Sequence, residues 1–497
     1  AALVGPVAEK MWVSTFHSAC VRILRRDAEQ LGYPSAFSIY DQADATRLTG
    51  YVVRDLGLDN KKFVARSVHA QISNLKNELI STDAALDRAD GIFGRKIAEI
   101  YDEYQRRLRS AGAMDFDDLL TVTVQLFDNF PNALSHYQER FQHVLVDEYQ
   151  DTNPAQNDIV LKLGDKHRNV FVVGDSDQSV YAFRGADIRN ILEFEKAFPD
   201  TGVVVLDQNY RSTQTILDAA NSVISNNYGR KPKELWTDKS GGDKIVMYRA
   251  DDEVDEAAWI IGELQRLHGQ GGLRWSDVAI FYRANAQSRI LEERLAGVSV
   301  PYRVVGGTRF YDRREVKDAL AYLRAVVNPA DEVSLKRVLN VPKRGIGDSS
   351  VTRLDQYANS NGVPFYEALN DWPEVGISGP AKKGLANFTE LLRQLSNRVS
   401  DGPAELLQLA LERSGYIEEL RDERSIEAEG RLENLAELIG SAEQYETCHE
   451  FLEQVSLVSP TDELDDQSEV TLMTLHTAKG LEFPIVFVVG MEDGIFP

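Results

Sequence analysis

The chain has 497 residues, 43% of them hydrophobic and 27% charged, and a net charge of −23. That length exceeds a single core and predicts roughly three or four domains, with the composition of an ordinary water-soluble globular protein. The acidity excludes a protein that coats nucleic acid with a broad basic face, and no stretch approaches the roughly 18 apolar residues of a membrane span, so no membrane partner is expected.

The acid is uneven: the first 110 residues are close to balanced, leaving room there for a phosphate-facing groove. Cys20 and Cys448 are the only cysteines. They suit a reducing cytoplasm and offer no metal set. No basic-then-apolar leader opens the sequence. It starts at Ala1 and stops at Gly494–Pro497, just past a predicted strand; neither end reads as a natural terminus.

In chain order, Met11–Val13 reads as a strand, and Ser18 as the cap of a helix over Ala19–Gln30. Thr15, His17 and the amides between them suit phosphate contact, although a polar turn with a helix cap explains them better. Residues 32–112 are helical in pattern, over Asp41–Leu56, Lys62–Leu79 and Ile92–Ser110. Their basic residues read first as a solvated face and second as a nucleic-acid contact. A helix from Met114 restarts an α/β pattern.

The stretch His143–Thr152 organises the rest. Val144, Leu145 and Val146 run into Asp147 and Glu148, as a buried strand of a parallel sheet does when it delivers acids at its carboxyl end. Ligands bind at that end of open α/β sheets. There one Asp can hold a magnesium ion bridging phosphates, and a following Glu can activate water. A second strand, Asn169–Val173, ends in Gly174-Asp175 and leads into a loop carrying Gln178, Tyr181 and Phe183. Gln178 suits sensing of a terminal phosphate. The two rings suit base stacking, with a pair of core aromatics as the alternative. Gly202–Leu206 reads as another strand, followed by Tyr210 and Arg211, a flat ring and a guanidinium able to reach a phosphate across a cleft.

Lys231–Gly242 reads as a connector. Lys244–Arg249 and Asp277–Tyr282 open a second α/β set, with Arg283 and Asn285 at the second strand's end. Tyr302–Gly307 is a strand with a glycine turn. From about 308 to 460 the pattern is helical: Arg314–Asn328, Asp331–Leu339, Ala404–Arg413, Glu427–Tyr445 and Glu450–Leu457. Within it, Lys343 and Arg344 beside Gly345 and Gly347 could grip a backbone phosphate at a helix start, or form a plain interhelical turn. Ser459–Glu469 is acidic and loop-like. The α/β pattern returns with Val470–Phe483 and a strand over Ile485–Val489. No short-period repeat occurs.

Four blocks in this order closely resemble the UvrD/PcrA/Rep family of superfamily 1 DNA helicases: Val146–Thr152, Gly174–Tyr181, Gln208–Thr213 and Thr474–Phe483. The likeness spans nearly the whole chain, and Met11–Ser18 is similar in wording to actinobacterial UvrD-type members. It implies an α/β fold of two RecA-like parallel-sheet motor domains of the P-loop NTPase type, each with a mostly helical inserted domain. The first motor domain would be 1–31 with 113–206, carrying the insertion 32–112; the second would be 207–307 with 461–497, carrying the duplex-contacting insertion 308–460.

The resemblance also implies ATP and Mg2+ as cofactors. Asp147 would hold the metal, Glu148 activate water, Gln178 sense the γ-phosphate and Arg211 act as an arginine finger. Tyr210 would stack on adenine, and Glu482 would bind the nucleotide at the ribose. Tyr181 and Phe183 would stack on single-stranded bases; the family usually has Trp where Phe183 stands, so a weaker grip is implied. Arg283, Asn285, His476 and Lys479, with Thr15 and His17, would line the strand channel, and Lys343, Gly345 and Gly347 would touch duplex at a single-strand/double-strand junction. The implied partners are single-stranded DNA, that junction and a repair protein, and the implied activity is ATP-dependent 3′-to-5′ unwinding in the cytoplasm.

The family's phosphate-binding loop, Gly-x-x-x-x-Gly-Lys-Thr, does not occur in the 497 residues; neither Gly-Lys-Thr nor Gly-Lys-Ser is present. The resemblance puts that loop upstream of Ala1 and the last helicase motif beyond Pro497. The chain is therefore expected to be a helicase fragment with poor ATP hydrolysis of its own. The alternatives are a non-catalytic DNA- or partner-binding relic and a helicase subunit of a helicase–nuclease complex.

Overall fold

The computed structural model describes residues 5–239, 241–305, 311, 313–423, 426–457 and 469–495. The fold is mixed α/β with parallel strand pairs. Two compact units share the chain. The first gathers Ala1–Leu145, Asn153–Phe171 and Phe310–Leu457; the second gathers Val146–Thr152, Val172–Arg309 and Val458–Pro497.

In the first unit, helix α1 (Phe16–Asp27) starts where the Thr15 hydroxyl accepts the Ser18 amide, and ends on Arg25 and Arg26. Cation-bearing last turns of this kind complement the helix dipole. Strand β1 (Ser38–Tyr40) precedes α2 (Gln42–Asp55), α3 (Ala65–Asn77), α4 (Thr82–Arg88) and α5 (Gly91–Ser110). Strand β2 (Ala113–Asp115) then returns beside β1 in parallel, Ser38 opposite Ala113. Asp115 ends β2 and caps α6 (Phe116–Asn129) in a reciprocal box with Asp118. Helices α7 (Pro131–Arg140) and α8 (Pro154–Gly164) follow, the latter capped by Asn153 with Gln156. Strands β3 (Val144–Val146) and β4 (Val170–Val172) lie side by side.

Residues 313–423 and 426–457 form a helical body around Tyr322, Leu335, Phe388, Leu407 and Phe451. It interlocks with the 38–113 region: Val333 joins the core built on Tyr40, Val52, Ile72 and Ile100. The Tyr40 hydroxyl donates to Asp331 at 2.7 Å, Arg324 meets Asp44 at 2.7 Å, and the Asn328 amide donates to Ser38 Oγ at 2.8 Å and to the Ala111 carbonyl at 2.9 Å.

The second unit is built on a four-stranded parallel sheet of order β6-β7-β5-β8, from β5 (Val278–Tyr282), β6 (Tyr302–Val305), β7 (Val470–Thr474) and β8 (Ile485–Val488). The central strands β5 and β7 are its core, and their carboxyl ends lie level, Tyr282 opposite Thr474.

Several expectations are corrected. Thr15, not Ser18, caps the first helix, so the helix begins three residues earlier. Met11–Val13, Gly202–Leu206 and Lys244–Arg249 are not strands; a strand needs a ladder partner, and among the described residues none pairs with them. Strands β3 and β4 are not fully buried: Leu145 is 66% exposed and Phe171 61%, because among the described residues the pair has no third strand. The first helical segment also contains the strand β1, and its expected helix over Lys62–Leu79 starts only at Ala65. Gly306, Gly307 and residues 459–468 lie outside the described residues.

Candidate functional site

Beyond β3 the chain turns sharply. Glu148 takes a left-handed φ of 51°, and its amide donates to Asp147 Oδ1 at 2.9 Å. A non-glycine residue in that region is uncommon and is held by its surroundings. The holder is Gln150, a fully buried side chain that the sequence did not single out. Its Nε2 donates to Glu148 Oε2 at 2.6 Å, and its Oε1 accepts the Asp175 amide at 2.9 Å. One amide therefore fixes the acid and ties it to the turn after β4. Gly174 makes room for it: a Cβ there would lie 2.4 Å from Gln150 Oε1 and 3.1 Å from the Tyr149 nitrogen.

In that second turn, the Asp175 carboxylate accepts the Asp177 amide at 2.9 Å and the Gln178 side-chain amide at 2.8 Å. Lys479 reaches into the same place. Its ammonium bonds Asp151, lies 3.4 Å from Glu148 Oε2 and donates to the Gln178 carbonyl at 2.8 Å. Burial pushes the Asp151 carboxyl above its ordinary pKa, opposed by Lys479. Lys479 also sits 5.5 Å from the centroid of the Tyr181 ring.

The predicted base-stacking residues gather at that ring. The Tyr181 hydroxyl donates to the His476 carbonyl at 2.8 Å, and Phe183 meets the His476 ring edge-on at 4.9 Å between centroids. Phe183 is 61% exposed. His476 is displayed on a short helix, Leu475–Ala478, capped by Thr474 at the end of β7. At the neighbouring end of β5, Gln287 Oε1 accepts the amides of Arg283 at 3.0 Å and Ala284 at 2.9 Å, shaping the loop that carries Arg283 and Asn285. Arg283, Asn285, His476 and Lys479 thus occupy the carboxyl edge of the sheet, the edge where ligands of such sheets bind.

Arg211 pairs with Glu482 at 2.5 Å, both side chains more than half exposed. A pair this open is worth at most about 1 kcal/mol, so it exchanges readily for a better anion. Asn209 Oδ1 accepts the amides of Arg211 and Ser212 and sets the loop, while Tyr210 stands 74% exposed with its hydroxyl on Gln208.

The remaining candidates belong to the first unit. Thr15 is spent as a helix cap. His17 packs edge-on against Phe116 at 5.8 Å, and burial pushes its pKa down to about 4, so its ring is neutral near pH 7. It can offer a phosphate a hydrogen bond and no charge. Lys343, Gly345 and Gly347 are exposed. Arg344 is not a free grip: it donates to the Val338 carbonyl at 2.9 Å and to the Tyr322 hydroxyl, and Gly384 lets a neighbouring helix approach its carbonyl. The expected pair of outward cations is therefore Lys343 alone, because the guanidinium satisfies buried carbonyls.

Asp147 is an exposed carboxylate at a strand tip. Among the described residues no group of three acids, histidines or cysteines could hold a metal. A magnesium ion bound to phosphates would ask one or two carboxylates of the protein and take its other ligands from water and phosphate, and Asp147 offers such a carboxylate.

Residues 1–199 match the family model of the UvrD/REP helicase N-terminal domain, and residues 204–497 that of the UvrD-like helicase C-terminal domain. Similar proteins include the ATP-dependent DNA helicase UvrD1 of Mycobacterium tuberculosis, 49% identical over 532 residues, and the ATP-dependent DNA helicase PcrA of Bacillus subtilis, 45% identical over 509. PcrA of Staphylococcus aureus is 47% identical over 504 residues. Each alignment covers 100% of this chain and 69% of the relative.

Proposed function

The chain belongs to the UvrD-like helicase family, and from that premise we propose that it is the motor part of an ATP-dependent helicase that moves 3′ to 5′ on single-stranded DNA and splits duplex ahead of it. The observation that carries this reading is Lys479, whose ammonium touches Glu148 and Asp151 and also overhangs the Tyr181 ring. One side chain then reports strand occupancy to the hydrolytic acid. A base stacked against Tyr181 and Phe183, worth about 1–3 kcal/mol per ring, draws Lys479 toward the DNA backbone and releases Glu148 to take a proton from water. Gln178 and Arg211 bind the terminal phosphate, the latter after leaving Glu482, which then meets the ribose. Tyr210 offers its exposed ring to the base. Asp147 would hold Mg2+, which supplies charge neutralisation between phosphates.

We read the motor domains as 1–31 with 113–206 and 207–307 with 461–497, and the insertions as 32–112 and 308–460. The β1–β2 pair supports the first boundary, since it joins the strands where the chain leaves and re-enters the insertion. The 497 residues contain no Gly-Lys-Thr or Gly-Lys-Ser. The chain alone is thus proposed to turn over ATP hardly at all, and a form carrying a phosphate-binding loop at its N-terminus is the one to assay. That loop-bearing form should unwind a duplex with a 3′ single-stranded tail and leave a 5′-tailed duplex intact. Unwinding from the 5′ tail alone would reverse the polarity, and no unwinding of either would favour a DNA-binding relic without motor chemistry.

Strand affinity should fall with salt as a line on logarithmic axes, with a slope of about −0.7 per phosphate neutralised. A flat response in a filter-binding titration would contradict a channel lined by Arg283, Lys479 and their neighbours.

A further inference from the structure

The connector after residue 228 is fastened to both phosphate-reading loops. At one end the Arg230 guanidinium forms a two-pronged bridge to Asp177, Nε to Oδ1 at 2.9 Å and a terminal nitrogen to Oδ2 at 2.6 Å. Lys233 bonds Asp175 and lies 3.6 Å from Asp177. All four side chains are mostly shielded from solvent. These two aspartates bracket the turn whose Gln178 side chain rests on Asp175. At the other end the Trp236 amide donates to the Asp207 carbonyl at 3.1 Å, and the Trp236 carbonyl accepts the Asn209 amide at 2.7 Å. Lys239 closes on the Arg211 carbonyl at 3.1 Å. Between the ends, Asn221 exchanges two hydrogen bonds with Leu235, so the segment is held taut against a helix.

Paired planar ion bridges fix orientation as well as distance, which a connector serving only to span two elements does not need. We propose that residues 230–239 form a strap that sets the spacing of Gln178 and Arg211, and that Arg230 and Lys233 are positioning residues for ATP hydrolysis. This rests on the ATPase reading above and names what aligns its two phosphate contacts.

The first test needs no turnover. In Arg230→Ala/Lys233→Ala, amide hydrogen exchange should quicken in peptides covering 207–212 and 231–239. Peptides of the sheet, 278–282 and 470–474, should keep their wild-type rates. The charge-swapped pair Asp177→Arg/Arg230→Asp should recover part of the lost protection. Unchanged exchange at 207–212, or quickened exchange throughout the unit, overturns the strap. The second test uses the loop-bearing form. Arg230→Ala should lower kcat by roughly 10- to 100-fold, the scale of a 1 Å misplacement, with single-strand binding unchanged and Arg230→Lys intermediate. Added to Arg211→Ala, it should cost little more, since both act on one contact. Losses that multiply would overturn the proposal. If the loop-bearing wild type does not hydrolyse ATP, the ATPase reading fails, and the exchange result still decides whether the strap exists.

Discussion

Arg211→Ala in a loop-bearing form of the chain should lower strand-stimulated ATP turnover by roughly 10³-fold or more, the usual worth of an arginine that meets a transferring phosphoryl group. Affinity for a single strand should stay close to wild type. The geometry makes this substitution informative. Arg211 follows the Asn209 turn, which is held by backbone amides and by Trp236, so the loop does not depend on the guanidinium for its shape. The side chain's ion-pair partner is Glu482, in a bridge too exposed to carry the fold. Truncation therefore removes chemistry rather than structure. Arg211→Lys keeps the charge and loses the fork, and should recover only a small part of the rate. Stopped-flow phosphate release beside fluorescence anisotropy of a labelled strand separates the two quantities. An equal loss in both would assign Arg211 to strand binding; a drop in turnover below tenfold would remove it from the phosphate.

What the sequence carried legibly was chemistry at strand ends. Asp147, Glu148, Gln178, Tyr181, Phe183, His476 and Lys479 were read into two motor domains and fall in one compact unit, each just beyond the end of a strand, and a strand's carboxyl end delivers whatever follows it to one edge. The long amphipathic helices, such as Arg314–Val327 and Cys448–Leu457, were legible from their spacing. Gln150 and the strap residues were not. A glutamine between a tyrosine and an aspartate has no periodic signature, and a connector's Arg230 and Lys233 carry no motif until Asp175 and Asp177 are seen beside them. The apolar runs 203–206 and 245–248 misled for the opposite reason. Their apolar continuity is real, but a strand is defined by its partner, and no residue pattern names the partner. Arg344 looked like a grip and is a half-buried donor, a distinction made only by the carbonyls that surround it.

Lys76→Met should destabilise the first unit by about 3–5 kcal/mol at pH 8, the cost of stranding a buried partner charge. Lys76 is 1% exposed, its ammonium 2.7 Å from Asp115 and 2.8 Å from Asp118 and 5.0 Å from the Tyr104 ring centroid. Tyr104 donates to Asp115 at 2.7 Å and Gln105 to Asp118 at 3.0 Å, so the network is nearly closed around one cation. Burial works against each charge. For Lys76 the two aspartates outweigh it and hold the pKa above the ordinary lysine value; Asp115 is likewise held low by Lys76. Asp118 is pushed up to about 6 by burial and by Asp115, and Asp117 to about 7 by the same two causes. Removing the cation lets Asp115 rise and drives Asp118 higher still. Carboxyls raised in the folded state, against about 3.9 unfolded, favour folding below their unfolded value and lose that contribution as pH rises through the folded one. The deficit of the variant should therefore be small near pH 5 and grow toward pH 8, read from urea transitions at both. A deficit equal at the two pH values would show that lost packing, not stranded carboxylates, sets the cost. Replacing the whole cluster, Lys76→Met with Asp115→Asn and Asp118→Asn, should restore part of the loss, since no charge remains buried alone. The cluster also bears on the site. Asn77, the neighbour of Lys76, contacts Asp117 at 3.2 Å and accepts from Asn153 at 2.6 Å, and Asn153 caps the helix into which the acidic turn runs. Loosening Lys76 should thus loosen the downstream anchor of Asp147 and Glu148. In the loop-bearing form, the variant at pH 8 should lose ATP turnover at temperatures where its helices are still folded by circular dichroism; loss only on global melting would confine Lys76 to stability.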